Sequence, residues 1–273
     1  MSSRRQFWAT VTAAADRSYS KTDPDATFMR LKEDHMRNGQ LKPAYNVQIS
    51  TSNQFVVNYS IHPNPTDTNT LAAHLDQYEK SFGRSLKSIT ADAGYGSEEN
   101  YTMLEEKKIA GYVKYGLFDN RQHRSFNSKH PFSADKLHYN PRGDHYICPI
   151  GQKMRYIGNT INRTVTGFLQ TARMYKASNC SKCPLNGACH KSKGDRIIQV
   201  NLNLERQKRQ ADELLTSQQG IQKRKRRCFD VEPVFGNIKH NHKFRRFMLR
   251  GKQKVEIEWG LIALAQNIRK KAA

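Results

Sequence analysis

"SITADAGYGSEENYTMLEEKKIAGYVKY", residues 88 to 115, decides the fold class. Its opening reads as a short buried strand ending at Asp92, and a Gly-Tyr-Gly turn follows. Ser97 with Glu98 and Glu99 marks a helix start, because acids favour the positive end of the helix dipole. Ala110 to Tyr115 is a second short strand. Asp92 therefore sits at a strand-to-helix turn, a place where mixed α/β sheets commonly carry active sites. Two readings of it stay open at this point, a turn residue set for local geometry or a metal-holding carboxylate.

Upstream, Tyr45, Val47 and Ile49 alternate with Asn46, Gln48 and Ser50, the period of a half-buried strand. After "TSNQ" the alternation resumes through Phe55, Val57, Tyr59 and Ile61, which predicts a β-hairpin. Leu71, Leu75, Tyr78 and Phe82 then describe one face of a helix. Strand, strand, helix, strand, helix, strand is an α/β layer. Residues 119–205 read as a polar, irregular insertion holding four of the five cysteines. "NLERQKRQADELLTSQQGIQKRKRRCF" reads as basic and helical, and "KVEIEWGLIALAQNIRKKAA" as an apolar helix with a cationic last turn. The expected divisions are a remnant over 1–22, the first core part over 23–118, the insertion over 119–205 and a helical core part over 206–273.

Lys and Arg number 46 against 24 Asp and Glu, a formal charge of +22. Such an excess repels itself in a compact state, so a polyanionic partner is expected. No run approaches the ~18 apolar residues of a membrane helix, and residues 1–20 lack a signal-peptide core. Cytoplasmic residence and no membrane partner are the expectation, with reduced or metal-bound cysteines. Cys180 and Cys183 are spaced to present two thiolates from one turn, and Cys148 and Cys189 would complete a structural Zn²⁺ site, with His190 as a substitute ligand. Unligated thiols in a small core are the alternative. Cys228, outside the cluster, reads as a packing residue.

Around Glu232 the positive charge is densest, in "KRKRRCFDVEPVFGNIKHNHKFRRFMLRGKQK". On a helix Glu232, Gly236 and Lys239 would lie along one stripe, with Val231, Val234, Phe235 and Ile238 facing inward. Pro233 predicts that the helix begins or kinks there. Glu232 is either a metal ligand or a solvated acid among arginines. Arg226, Arg227, Arg245, Arg246 and Arg250 are candidate DNA-backbone contacts, and Phe244 and Phe247 either interleave with them or anchor a core.

"DATFMRLKEDHMRNGQLKPAYNVQIS", "HPNPTDTNTL", "ITADAGYGSEENY" and "DVEPVFGNIKHNHKFRRFMLRG" together resemble the DDE transposases of bacterial insertion sequences. The resemblance is to the group with a cysteine-bearing insertion before the catalytic glutamate, and it runs from Tyr19 onward. It implies an RNase H-like mixed sheet with flanking helices, interrupted by a zinc-ribbon-like insertion. Two aspartates and a glutamate would hold two Mg²⁺ ions, which activate water and then a DNA 3′-hydroxyl for in-line attack on phosphodiesters. It further implies double-stranded DNA partners (transposon ends and target), a homo-oligomer on DNA and a bacterial, nucleoid-associated setting. Asp92 matches the second aspartate, Glu232 the glutamate and Lys239 the DNA-end-contacting lysine.

The chain departs from the pattern in two places. Cys228 stands where an arginine is expected, and no tyrosine matches. The first aspartate belongs in an Asp-Gly-Thr strand ahead of Tyr19, and this sequence holds no Asp-Gly-Thr. Of the early acids Asp16, Asp23 and Asp25, the last two are expected to order a turn, and Asp67 to serve a turn or helix cap. The expectation is an N-terminally truncated transposase with weak or absent Mg²⁺-dependent cleavage. The rival expectations are a non-catalytic, zinc-containing DNA-binding remnant that regulates an intact transposase, and a general nuclease on the same fold.

Overall fold

A computed structural model describes residues 20–30, 39–123, 125–126 and 131–272. Its strands are β1 Thr27–Arg30, β2 Leu41–Ala44, β3 Asn46–Ser52, β4 Phe55–His62, β5 Ser88–Ala91 and β6 Ala110–Val113, then β7 His138–Asn140, β8 His145–Ile147, β9 Lys153–Arg163, β10 Leu169–Lys176 and β11 Ile197–Val200. Its α-helices are α1 Leu71–Phe82, α2 Glu98–Glu106, α3 Phe118–Arg121, α4 Leu202–Thr216, α5 Gln218–Gly236 and α6 Lys252–Ala272. They form two compact units, Met1–Leu86 with Gln222–Ala273, and Lys87–Ile221. Asp16 lies outside the described residues.

The first unit is built on the predicted hairpin. β3 and β4 pair antiparallel around Asn53 and Gln54, both at positive φ (51° and 67°). Two such residues in succession give a turn whose twist matches that of the strands. Val47, Ile49, Tyr59 and Ile61 pack with Val234, Ile238, Val255 and Trp259, of which Val234, Ile238 and Val255 are fully buried. Gly260 is what lets α6 approach: a Cβ there would stand 2.4 Å from the Tyr59 hydroxyl.

The opposite hairpin face is polar and also buried. Ser50 Oγ and Ser60 Oγ bracket the ring of His74 from α1 at 2.8 and 2.7 Å, and Ser60 Oγ also meets His62 Nε2 at 2.7 Å. Burial holds the His74 imidazole neutral, its pKa lowered to about 4, with the His62 ring adding to the effect. Alternation alone suggested a wet face here. α1 covers it, and the polar groups are satisfied by one another.

In the second unit β5 and β6 run parallel, in register from Ser88 with Ala110 to Ala91 with Val113. α2 spans the crossover, as the sequence pattern predicted. Residues 119–205 are not irregular. They hold an antiparallel five-stranded sheet in the order β11-β10-β9-β8-β7. Its core is Met154, Tyr175, Ala177, Cys180 and Ile198, with Tyr139 and Tyr146 packed against it. Most side chains of β9 are exposed on both faces, so no alternation marks it as a strand. The architecture is mixed α/β. Hairpin β3–β4 and parallel pair β5–β6 are separate two-stranded sheets among the described residues.

The sequence placed a helix start or kink at Pro233. The start is not there: α5 begins at Gln218 and carries Pro233 in its interior. Proline lacks the N–H that would bond the carbonyl four residues back, Phe229. That carbonyl accepts a 2.9 Å hydrogen bond from Gln54 Nε2 at the hairpin turn. A tertiary donor replaces the missing helical one, which a local reading of Pro233 has no means to foresee.

Candidate functional site

Asp92 is exposed at the C-terminal end of β5. Its Oδ1 accepts from the Ala93 amide at 2.8 Å and its carbonyl from the Tyr95 amide at 3.1 Å, so it caps the Gly-Tyr-Gly turn. The turn is pinned by Gly96, where a Cβ would lie 2.3 Å from the Lys114 carbonyl oxygen. Asn100 Nδ2 donates to the Tyr95 carbonyl at 2.8 Å, and Ser97 Oγ caps α2 through the Asn100 amide. Glu98 has a second job besides favouring the helix start. It is buried and accepts from the side-chain amides of Asn201 and Asn203. The turn-residue reading of Asp92 is thus realised in its geometry.

Glu232 is exposed on α5 and has no hydrogen bond or ion pair among the described residues. Val234 and Ile238 point inward as expected, while Glu232 and Lys239 point to solvent. A Cβ at Gly236 would meet nothing within 4 Å, so that face is open to close approach. Asn237–Asn241 continues α5 as a π-helical turn, with the His242 amide bonded to the Asn237 carbonyl at 2.9 Å. The wider turn rotates Lys239 out of strict α-helical register with Glu232.

The candidate DNA contacts divide. Arg226 is tied at both ends, to Asp230 at 3.2 Å and to the Asn53 side chain at 2.5 Å. Arg227 is half-buried on the same helix, and Arg245, Arg246 and Arg250 are exposed beyond it. Phe244 and Phe247 are core anchors: their centroids lie 5.6 and 6.2 Å from that of Trp259, and 5.1 Å from each other. Cys228 is a correction, being exposed instead of packed.

The early acids serve structure. Asp23 is buried and accepts from the Tyr45 hydroxyl at 2.8 Å. Asp25 caps α6 through the Lys252 amide at 2.9 Å. Asp67 makes no side-chain cap; its Oδ1 takes hydrogen bonds from Asn46 and Gln48 at 2.8 and 2.9 Å.

Cys148, Cys180, Cys183 and Cys189 line one pocket with His190 and Arg196. Cys148 Sγ accepts from the Gln152 amide at 3.3 Å and Cys180 Sγ from the Arg196 amide at 3.4 Å. The Arg196 guanidinium, itself buried, donates to Cys189 Sγ at 2.9 Å. Among the described residues no group of three or more His, Cys, Asp or Glu side chains is placed to hold a metal ion. The zinc expectation is therefore not supported. A cation already stands beside one of the thiols.

Residues 147–272 match the family model of the transposase DDE domain, just under half of the chain. Over that stretch the chain is similar to the DDE domain of transposases. The match includes the cysteines, Glu232 and Lys239, and ends before the last residue of the chain; Asp92 lies outside it. Such domains generally work with divalent ions such as Mg²⁺. No curated protein and no solved structure matches the chain. No described helix is long and apolar enough to cross a membrane.

Proposed function

We propose that this chain acts on duplex DNA, that Asp92 and Glu232 are each Mg²⁺-binding carboxylates and that Lys239 contacts the DNA end. The observation that carries the reading is Glu232. It is an acid without a partner, on the open face of a helix whose run Lys223 to Arg227 is wholly cationic, inside the matched stretch. A surface acid amid such charge is normally neutralised by it. One held apart suits a group from outside the chain.

Carboxylate oxygens are the donors that hard Mg²⁺ takes, and the ion when bound would supply an activated hydroxyl and neutralise phosphate charge. The chain's own part is to hold Asp92 at a strand end by its turn and Glu232 on a rigid helix. Arg245, Arg246 and Arg250, with Arg227, supply sequence-independent attraction for phosphates. Cleavage is proposed to be impaired, because the described acids Asp23, Asp25 and Asp67 are all committed to structural hydrogen bonds and none supplies the third carboxylate. Zn²⁺ has no step here. Four thiols suit a thiophilic ion by donor type, but their placement does not make a ligand group.

The test uses duplexes taken from the DNA flanking the gene, with Mg²⁺ and varied salt. Expected are binding that weakens steeply with salt and weak nicking that Glu232→Gln and Asp92→Asn each abolish. Robust nicking that survives both substitutions would remove these carboxylates from the chemistry. Robust nicking lost on Asp92→Asn would show the site to be complete.

A further inference from the structure

From His145 to Gly194 the chain carries eight lysines and arginines and no carboxylate, although 24 of its 273 residues are acids. The middle of that stretch is the pair β9 and β10. β8 pairs with β9 only at Lys153–Arg155, and β11 with β10 only at Arg173–Lys176. Past the bulge between Met174 and Tyr175, β9 and β10 therefore continue as a two-stranded ribbon. Its turn is fixed. The Thr164 amide donates to the Phe168 carbonyl at 2.9 Å, Gly167 takes a φ of 92°, and Thr166 Oγ1 donates to Glu99 at 2.6 Å.

Three cross-strand pairs share one face of the ribbon: Asn159 with Arg173, Ile161 with Thr171, and Arg163 with Leu169. Opposed residues of antiparallel strands point the same way, and five of these six are exposed. Arg173 is engaged by Asp144 and by the Tyr156 ring. Arg163 and Thr171 have no side-chain partner among the described residues, and Asn159 has only the Tyr156 hydroxyl, on its carbonyl oxygen. Ile161 and Leu169 stand 67% and 54% exposed between them.

We propose that this face of the ribbon lies in the major groove of duplex DNA and reads base edges there, which rests on the DNA reading above and extends it to sequence specificity. Arg227, Arg245, Arg246 and Arg250 attract any phosphate, whereas a sequence is told apart by hydrogen bonds and methyl contacts at base edges. The groove, about 12 Å wide, admits a two-stranded ribbon. Each side chain on the face has a counterpart in it. Arginine matches O6 and N7 of guanine, asparagine N6 and N7 of adenine, threonine can donate or accept, and apolar groups meet the thymine methyl. The acid-free stretch around the face leaves nothing to repel the phosphates that flank the groove. A-form RNA hides these edges in a narrow groove, so the fit is to DNA.

The experiment uses the full chain to select from DNA duplexes with a randomised core. The expected result is a site bound about tenfold or more tightly than a shuffled duplex of the same composition. Arg163→Lys keeps the charge and loses the two-pronged fork. The salt dependence of binding should stay, and the preference at one guanine should fall about tenfold. Asn159→Ala should do the same at an adenine. Methylation of that guanine at N7, in the major groove, should weaken the wild type and leave Arg163→Lys indifferent. Arg245→Gln with Arg246→Gln should weaken selected and shuffled duplexes alike. Selection of no sequence, or a preference that the ribbon variants do not change, overturns the proposal while general DNA binding stands. Interference by adenine N3 methylation alone would put the contact in the minor groove and overturn it too. A chain that binds no duplex at low salt overturns both this proposal and the DNA reading beneath it.

Discussion

Asp92 and Glu232 are both exposed acids, one at a strand end and one inside a helix, and their seats are held in opposite ways. Asp92 is fixed by its own neighbourhood: it caps the turn that follows it, and Gly96, Ser97 and Asn100 complete that turn within a few residues. Glu232 is fixed by parts of the chain far from it in sequence, through Gln54 on the Phe229 carbonyl and Asn53 on Arg226. A locally capped acid depends chiefly on its own turn and on the backbone that Gly96 abuts. A helix interrupted by proline keeps its place only while its supporting hairpin is formed.

The comparison can be broken most severely at Gly96. Gly96→Ala drives a Cβ into the Lys114 carbonyl and to 2.6 Å from Tyr115 Cα, neither of which is a flexible side-chain end. A loss of about 3 kcal/mol is expected in denaturant unfolding, the upper end for overpacking. Acid attacks the other seat. His74 titrates at about 4 when folded, below its usual value of 6.5, so its neutral form is favoured by folding. The unfolded chain binds the proton first, and stability falls as pH drops from 6.5 towards 4, by roughly 3 kcal/mol in all. It then levels off. His74→Gln should flatten that part of the stability–pH curve, and a curve unchanged by it would remove the histidine from the account.

Smaller effects sharpen the contrast. Asp92→Ala removes a turn cap and should cost about 1 kcal/mol, whereas Asp92→Asn, which caps as well, should cost little. Gln54→Ala leaves the Phe229 carbonyl without its donor, again about 1 kcal/mol, and amide exchange should quicken around residues 234 to 238 and not around residue 92. Glu232→Gln should change stability by less than about 0.5 kcal/mol, since nothing contacts the carboxylate. A larger loss would mean that Glu232 is a structural acid.

The elements were legible wherever the residues themselves carried a period. Hairpin β3–β4, α1, β5, α2 and β6 all stand where alternation, helical spacing and turn residues put them. Residues 119–205 were illegible as a sheet because most of β9 faces solvent on both sides and the core is a few residues, Met154, Tyr175 and Ile198 among them, scattered over three strands. Asp92 and Glu232 could be found as candidates because one follows a strand at a Gly-Tyr-Gly turn, the other sits in the densest positive charge, and both fall in the motifs that carry the family resemblance. What a sequence does not reveal is which acids are already spoken for. The sequence marks Asp23 and Asp25 as turn acids and Asp67 as a turn or cap acid, whereas their partners Tyr45, Lys252, Asn46 and Gln48 lie far off along the chain. Of the two roles the sequence left open for Phe244 and Phe247, the packing on Trp259 realises the core anchor.

The first unit is assembled from two stretches with all of Lys87–Ile221 between them. During synthesis the hairpin therefore leaves the ribosome well before α5 and α6, the helices that cover Val47, Ile49, Tyr59 and Ile61. At about 5–20 residues per second that interval is on the order of ten seconds. For that time an apolar sheet face is uncovered in the nascent chain, and the helix bearing Glu232 takes its final form only after the second unit has been made. The order of manufacture thus exposes this hairpin to chaperones, or to mispairing with another nascent copy, at a stage the finished fold no longer records.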